Sequence, residues 1–144
     1  MMLRRITTVL AALLGAGIMF VGARFLLDPQ GAAAAFGVPA WPHGDAEAFL
    51  SVKGVRDIAT GLFVLVPLAL GMRRAAGLAM LAAAFVPFSD MLIVFGYGGS
   101  AAAALGIHGA TAAVVILAGV LLLREPRPAP AQPLSPAASS LTHS

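Results

Sequence analysis

The amino-acid sequence predicts an all-α membrane protein, a four-transmembrane-helix bundle with both termini on the cytoplasmic side. Three observations predict it. The 144 residues are 60% hydrophobic and only 10% charged, with a mean hydropathy of +0.94, whereas soluble domains carry about 25% charged side chains. Four apolar runs approach the roughly 20 residues that a helix needs to cross a hydrocarbon core about 30 Å thick. The basic residues gather at alternate ends of those runs, as they do when cytoplasmic loops are positively charged. The same composition excludes other classes. A pI near 10.7 rests on a net charge of only +3, too little for a nucleic-acid footprint, and the absence of cysteine excludes a disulfide scaffold.

The membrane domain takes up residues 1–123. Its first span covers 6–27 and is stopped by Asp28 and Pro29, because proline cannot continue the hydrogen-bond ladder and biases its predecessor away from helix. A secretory signal peptide ending near Val21-Gly22-Ala23 fits less well, since the apolar run exceeds the usual 7–15 residues of a signal core. The loop that follows mixes small apolar residues with Phe36 and Trp41, and Trp41 suits the headgroup region. Asp45 is placed to cap the second helix and Glu47 to sit in its first turn. That second span, 47–70, carries Lys53, Arg56 and Asp57, and its uninterrupted part from Ile58 to Leu70 reaches only about 20 Å at 1.5 Å per residue. The third span covers 75–95. Within it Pro87 deprives the Ala83 carbonyl of its helical partner, so a kink is expected just before Asp90. Gly96-Tyr97-Gly98-Gly99-Ser100 forms a tight turn into the fourth span, 101–123. Ala75, Ala79 and Ala83 on the third span, and Ala102, Gly106 and Ala110 on the fourth, recur every four residues, the spacing that lets helices approach closely. Residues 124–144 hold five of the ten prolines and read as a disordered Pro/Ala-rich cytoplasmic tail.

Orientation follows from the arginines. Arg4 and Arg5 precede the first span, Arg73 and Arg74 separate the second from the third, and Arg124 and Arg127 follow the fourth. The two opposite loops contain no lysine or arginine. If the second segment did not cross, Arg73 and Arg74 would face outward and the pattern would break.

Function is sought among the residues that do not belong in lipid. A central Lys, Arg or Asp costs roughly 2.5–3.5 kcal/mol on insertion, while each large apolar residue returns about 0.3–0.6 kcal/mol. Such side chains therefore face protein partners or a wet cavity. Lys53, Arg56, Asp57 and Thr60 stand at i, i+3, i+4 and i+7, one stripe on a helix, and Lys53 can pair with Asp57. Counted from the outer face at 1.5 Å per residue, Asp57, His108 and Asp90 lie about 15, 10 and 8 Å deep, all in the outer half. Arg24 sits at the same end of the first span. The candidate ligand-binding residues are accordingly Arg24, Lys53 and Arg56, and the candidate catalytic residues Asp57, Asp90 and His108. No second histidine or cysteine accompanies His108 within the membrane, so no metal is expected, and no phosphate loop or nucleophile elbow points to a cofactor.

Gly22-Ala-Arg24-Phe-Leu-Leu-Asp-Pro29, Val52-Lys53-Gly54-Val-Arg56-Asp57 with Gly61, Pro87-Phe-Ser-Asp90-Met and His108-Gly109-Ala-Thr111-Ala together resemble a catalogued group of small membrane proteins, domain of unknown function family 4267. The Lys-Gly-x-Arg-Asp core is its most specific part, and the likeness runs from about Gly22 to Leu123. The resemblance implies a membrane protein and supplies no chemistry.

Four readings stay open at this stage. The charges form a structural network locking the helices, or they line a pocket in which Lys53, Arg56 and Arg24 hold an anionic or polar head and apolar walls take a lipophilic tail. In an enzyme, Asp57 or Asp90 would act with His108 in a cofactor-independent isomerisation or cyclisation. In a proton-coupled transporter, four spans would require a dimer. Membrane lipid, a lipophilic small molecule and a second copy of the chain are the expected partners, with no nucleic acid. Eight arginines against one lysine hint at a GC-rich genome and so at a bacterial cytoplasmic membrane.

Overall fold

The computed structural model describes residues 2–125, and every regular element among them is helical. Helix α1 spans Met2–Leu27 and the short α2 spans Pro29–Ala34. A 3₁₀ turn, Gly44–Glu47, leads into α3, Ala48–Ala69. After it come α4, Arg73–Ala83, and α5, Phe85–Gly96, then a π-helical segment, Ala102–Gly109, and α6, Ala110–Arg124. Three continuous stretches, Met2–Leu27, Arg73–Gly96 and Ala102–Arg124, are long and apolar enough to cross a membrane. Their outward surfaces agree with that solvent, since Phe20, Phe85 and Leu117 are exposed. The remaining helix of comparable length, α3, carries three charged residues in its first half.

The helices associate as two antiparallel pairs, α1 with α3 and α4 with α6. The first pair is a seam of glycines. A methyl group at Gly22 would lie 2.5 Å from the Gly54 carbonyl oxygen, and one at Gly61 would lie 2.5 Å from that of Gly15. Only glycine allows two backbones to approach so closely. The small-residue spacing singled out above therefore marks the wrong residues on the fourth span: Ala102, Gly106 and Ala110 are exposed, and a side chain at Gly106 would meet nothing within 4 Å. Gly77 and Gly119 make the close approach between α4 and α6. The reason is the π segment, whose wider turn breaks the four-residue register on which the expectation rested.

The two pairs join at one end of the bundle. Ala11, Val64, Ala76, Met80, Ala118 and Leu122 form a continuous core there. Arg73, at the start of α4, ties that end together. Its guanidinium donates to both carboxylate oxygens of Glu125, to Thr8 Oγ1 at 2.6 Å and to Thr7 Oγ1 at 2.9 Å. Thr7 is fully buried and donates to Glu125 Oε1 at 2.6 Å. The expectation of a disordered tail from residue 124 onward falls outside the described residues beyond Glu125; within them, Arg124 completes α6 and Glu125 is held by Arg73. The Arg73 hydrogen bonds hold the Glu125 carboxyl below the ordinary value for a glutamate.

At the opposite end the pairs separate, and the loop after α1 folds over them. Asp28 caps α2 by accepting from the Gly31 N–H at 3.0 Å, with Pro29 in the first turn where its missing N–H does no harm. Phe25, Ala32, Ala33 and Leu50 pack beneath Phe36 and Trp41. Gln30 clips this lid, accepting from Trp41 Nε1 at 2.8 Å and donating to Glu47 Oε2 at 2.7 Å. Glu47, directly before α3, is thus engaged with the lid, and Asp45 lies in the 3₁₀ turn with no side-chain cap on α3, unlike the expectation for it. Gly37, at φ +100°, lays the lid backbone against Ala103.

Candidate functional site

Under the lid, four of the six predicted site residues come together. Lys53 Nζ pairs with Asp57 Oδ2 at 2.9 Å, one turn along α3 as the spacing required. Asp57 is only 3% exposed. Asp90 Oδ2 lies 4.0 Å from Lys53 Nζ and 4.0 Å from His108 Nδ1, too far for a direct hydrogen bond to either. Lys53, Asp57, Asp90 and His108 therefore form one chain of charges across α3, α5 and the π segment. The helix is interrupted where Pro87 predicts an irregularity before Asp90: α4 stops at Ala83 and α5 begins at Phe85, two residues ahead of Pro87, which has no N–H to offer the Ala83 carbonyl.

The other two predicted residues stand apart. Arg56 is exposed on the far side of α3 and does not join the cluster. A stripe at i, i+3, i+4 and i+7 is wide enough that its edge can miss a narrow site, and Arg56 is that edge. Arg24 reaches the rim, but its guanidinium pairs with Asp28 at 3.3 Å, with both side chains largely exposed.

Two features escaped the sequence reading. The first is Phe36, whose carbonyl oxygen lies 2.8 Å from His108 Nε2. A carbonyl can only accept, so Nε2 carries the proton and a neutral His108 presents a lone pair at Nδ1, toward Asp90. The Phe36 ring also stacks on the imidazole, 4.6 Å between centroids, and caps Lys53, whose Nζ lies 5.0 Å from the Phe25 ring centre and 5.1 Å from that of Phe36. The second is the π segment itself, which carries His108 near its end; such segments recur at functional sites. Gly106 and Gly109 in an alanine-rich run were the only hint of it.

The cluster closes one end of a cavity of about 440 Å³ between the two helix pairs. Its walls are mostly apolar, with Ile18, Phe25, Val64, Met80, Val86 and Val115 among them. Lys53, Asp90, His108, Thr60 and Thr111 supply the polar groups. The opening is lateral. Gly17, Phe20 and Val21 on α1 and Ile107 on the π segment rim the cavity and are themselves exposed on the outer surface of the bundle. Among the described residues, no group of three His, Cys, Asp or Glu side chains converges as a metal site would require.

Comparison with known proteins gives one match. The family model described as Domain of unknown function (DUF4267) matches residues 15–122, which contain every residue of this cluster, all of α3 and α4, the second half of α1 and all but the end of α6. No curated protein and no solved structure matches.

Proposed function

For a chain that belongs to the DUF4267 family, we propose a cell-membrane protein of four spans, both termini cytoplasmic, whose cavity binds a lipophilic molecule bearing a neutral polar head. The single observation that carries this is the combination of an apolar cavity of about 440 Å³ with a polar end built from Lys53, Asp90 and His108. Pockets for small molecules have this character: mostly apolar walls and a few convergent polar groups that fix orientation.

The fourth span is α3. Its 22 residues amount to about 33 Å at 1.5 Å per residue, enough for a core about 30 Å thick. It runs antiparallel to α1 along the glycine seam from Gly54 to Gly61, and its charges face the cluster instead of lipid, apart from Arg56. With α3 across, Arg4, Arg73 and Arg124 share one face of the membrane, which supports the cytoplasmic side for both termini.

The charge count favours a neutral head over an anionic one. One ammonium, Lys53, faces two carboxylates, Asp57 and Asp90, and the arginines that would have reversed the balance are engaged with Asp28 or directed outward. A hydroxyl or carbonyl oxygen can accept from the spare Lys53 N–H, and a hydroxyl can in addition donate to Asp90 or His108, without adding charge to a low-dielectric site. The lateral rim gives such a molecule a path from the bilayer without crossing water.

The experiment is mass spectrometry of the protein released from native membranes. A retained neutral lipophile is expected with the wild-type chain, absent from Gly17→Trp. A methyl at Gly17 meets nothing within 4 Å, so the indole fills the opening without displacing a helix.

A further inference from the structure

We infer that the cavity is a catalytic site in which His108 moves a proton between two carbons of a lipophilic ketone, shifting a double bond into conjugation with the carbonyl. The inference rests on the pocket reading above and adds chemistry to it.

Three placements point to this step. His108 lines the cavity and has its tautomer set: Nε2–H is held at 2.8 Å by the Phe36 carbonyl, so that the neutral ring carries its lone pair on Nδ1, on the Asp90 side. That hydrogen bond and the ring stacking on Phe36 orient the imidazole, as a base used for proton transfer must be oriented. Asp90 has its Oδ2 4.0 Å from Nδ1, close enough to stabilise an imidazolium once formed and too far to occupy the lone pair beforehand. Lys53 is anchored by Asp57 at 2.9 Å, which leaves N–H groups of the same ammonium for a carbonyl oxygen bound on the cavity side. The site thus offers one base, one anion behind it and one fixed cation. A cyclisation begun by protonating an alkene needs a strong acid at the head of the pocket; the arrangement here is a base, and suits removal of a proton next to a carbonyl.

The step balances without a cofactor. Nδ1 takes a proton from the carbon between the carbonyl and the double bond. The electron pair moves to the carbonyl oxygen as an enolate, stabilised by the Lys53 N–H in a water-poor site. The same proton then returns from Nδ1–H to the far carbon of the former double bond, and the carbonyl re-forms. One C–H bond breaks, one forms, and nothing is oxidised. His108 and Lys53 are catalytic residues in this scheme; Asp90 is a positioning residue.

The test uses the full chain in detergent micelles with a fused-ring β,γ-unsaturated ketone as probe, measuring binding by equilibrium dialysis and reaction by growth of conjugated-enone absorbance. Wild-type protein is expected to bind the probe and convert it. His108→Gln, whose amide can still donate to the Phe36 carbonyl, is expected to bind normally and lose about 10²–10⁴-fold in rate. Asp90→Asn lowers kcat while KM stays near the wild-type value, a split that a merely structural role does not give. Probe bound by the wild type without conversion, or His108→Gln converting at the wild-type rate, overturns the catalytic inference alone. Failure of the wild type to bind the probe overturns the catalytic inference and counts against a carbonyl head in the pocket.

Discussion

The two ends of the bundle each hold an ion pair, and the ion pairs differ in what they leave over. At the Arg73 end, the guanidinium, both Glu125 oxygens, Thr7 and Thr8 are engaged with one another above a closed core of alanine, leucine and methionine. At the lid end, Lys53 and Asp57 are engaged, while Asp90 and His108 line a cavity, with a 4.0 Å gap from Asp90 to the His108 Nδ1. A cluster that consumes all its own hydrogen-bonding capacity holds helices together; one with capacity left beside a void is equipped for a guest. Charge in a membrane protein therefore does not by itself mark function. Unspent charge beside space does.

Mutation separates the two ends, and the largest effect is expected at the closed one. Arg73→Met leaves the part-buried Glu125 carboxylate without its guanidinium partner, and is expected to cost up to about 3 kcal/mol of stability, the lower end of the range for a fully buried pair. Thermal unfolding in detergent checks it, and a melting temperature within a degree of wild type would erase the contrast. Next comes the glycine seam. Gly22→Leu places a side chain against the Gly54 carbonyl, with an expected loss of about 1–3 kcal/mol from overpacking, whereas Gly17→Trp, five residues earlier on the same helix, leaves the melting temperature near wild type.

Acid provides a finer comparison. The Glu125 carboxyl is held below its ordinary value by Arg73 and Thr7, so the stabilisation is complete above the usual glutamate pKa of about 4.3 and is lost as pH falls through the lower folded-state value. Stability measured from pH 6 down to 3 should show this loss in the wild type and lack its Glu125 share in Glu125→Gln. The smallest expected effect on stability is at the open end. Asp90→Asn removes a carboxylate with no direct hydrogen bond, and should change stability by less than about 1 kcal/mol while weakening retention of a hydroxyl-bearing lipophile.

Much of this was legible in the residues. Arginine placement and punctuation at Asp28-Pro29, Gly71 and Gly96 located the long helices to within a few positions, because proline and glycine act locally. The Lys53–Asp57 pair and the break before Asp90 followed from helical spacing and from the missing proline N–H. What stayed hidden depended on the third dimension. Arg56 and Asp57 are neighbours in sequence, and a rotation of α3 by one residue decides which of them joins the cluster. Phe36 lies 72 residues from His108, and nothing local in either segment announces their contact. Glu125 falls in the proline-rich tail by sequence, because its partner, Arg73, lies on a different helix and carries there only the signal of orientation.

Releasing wild-type, Arg73→Met and Gly17→Trp proteins from native membranes into the mass spectrometer decides whether the lid end is a binding site and the Arg73 end a lock. A neutral lipophile is expected to be retained by the wild type and lost from Gly17→Trp, while Arg73→Met is less stable yet still carries it when folded. An empty wild-type cavity, or a compound retained equally after Gly17→Trp, would contradict this.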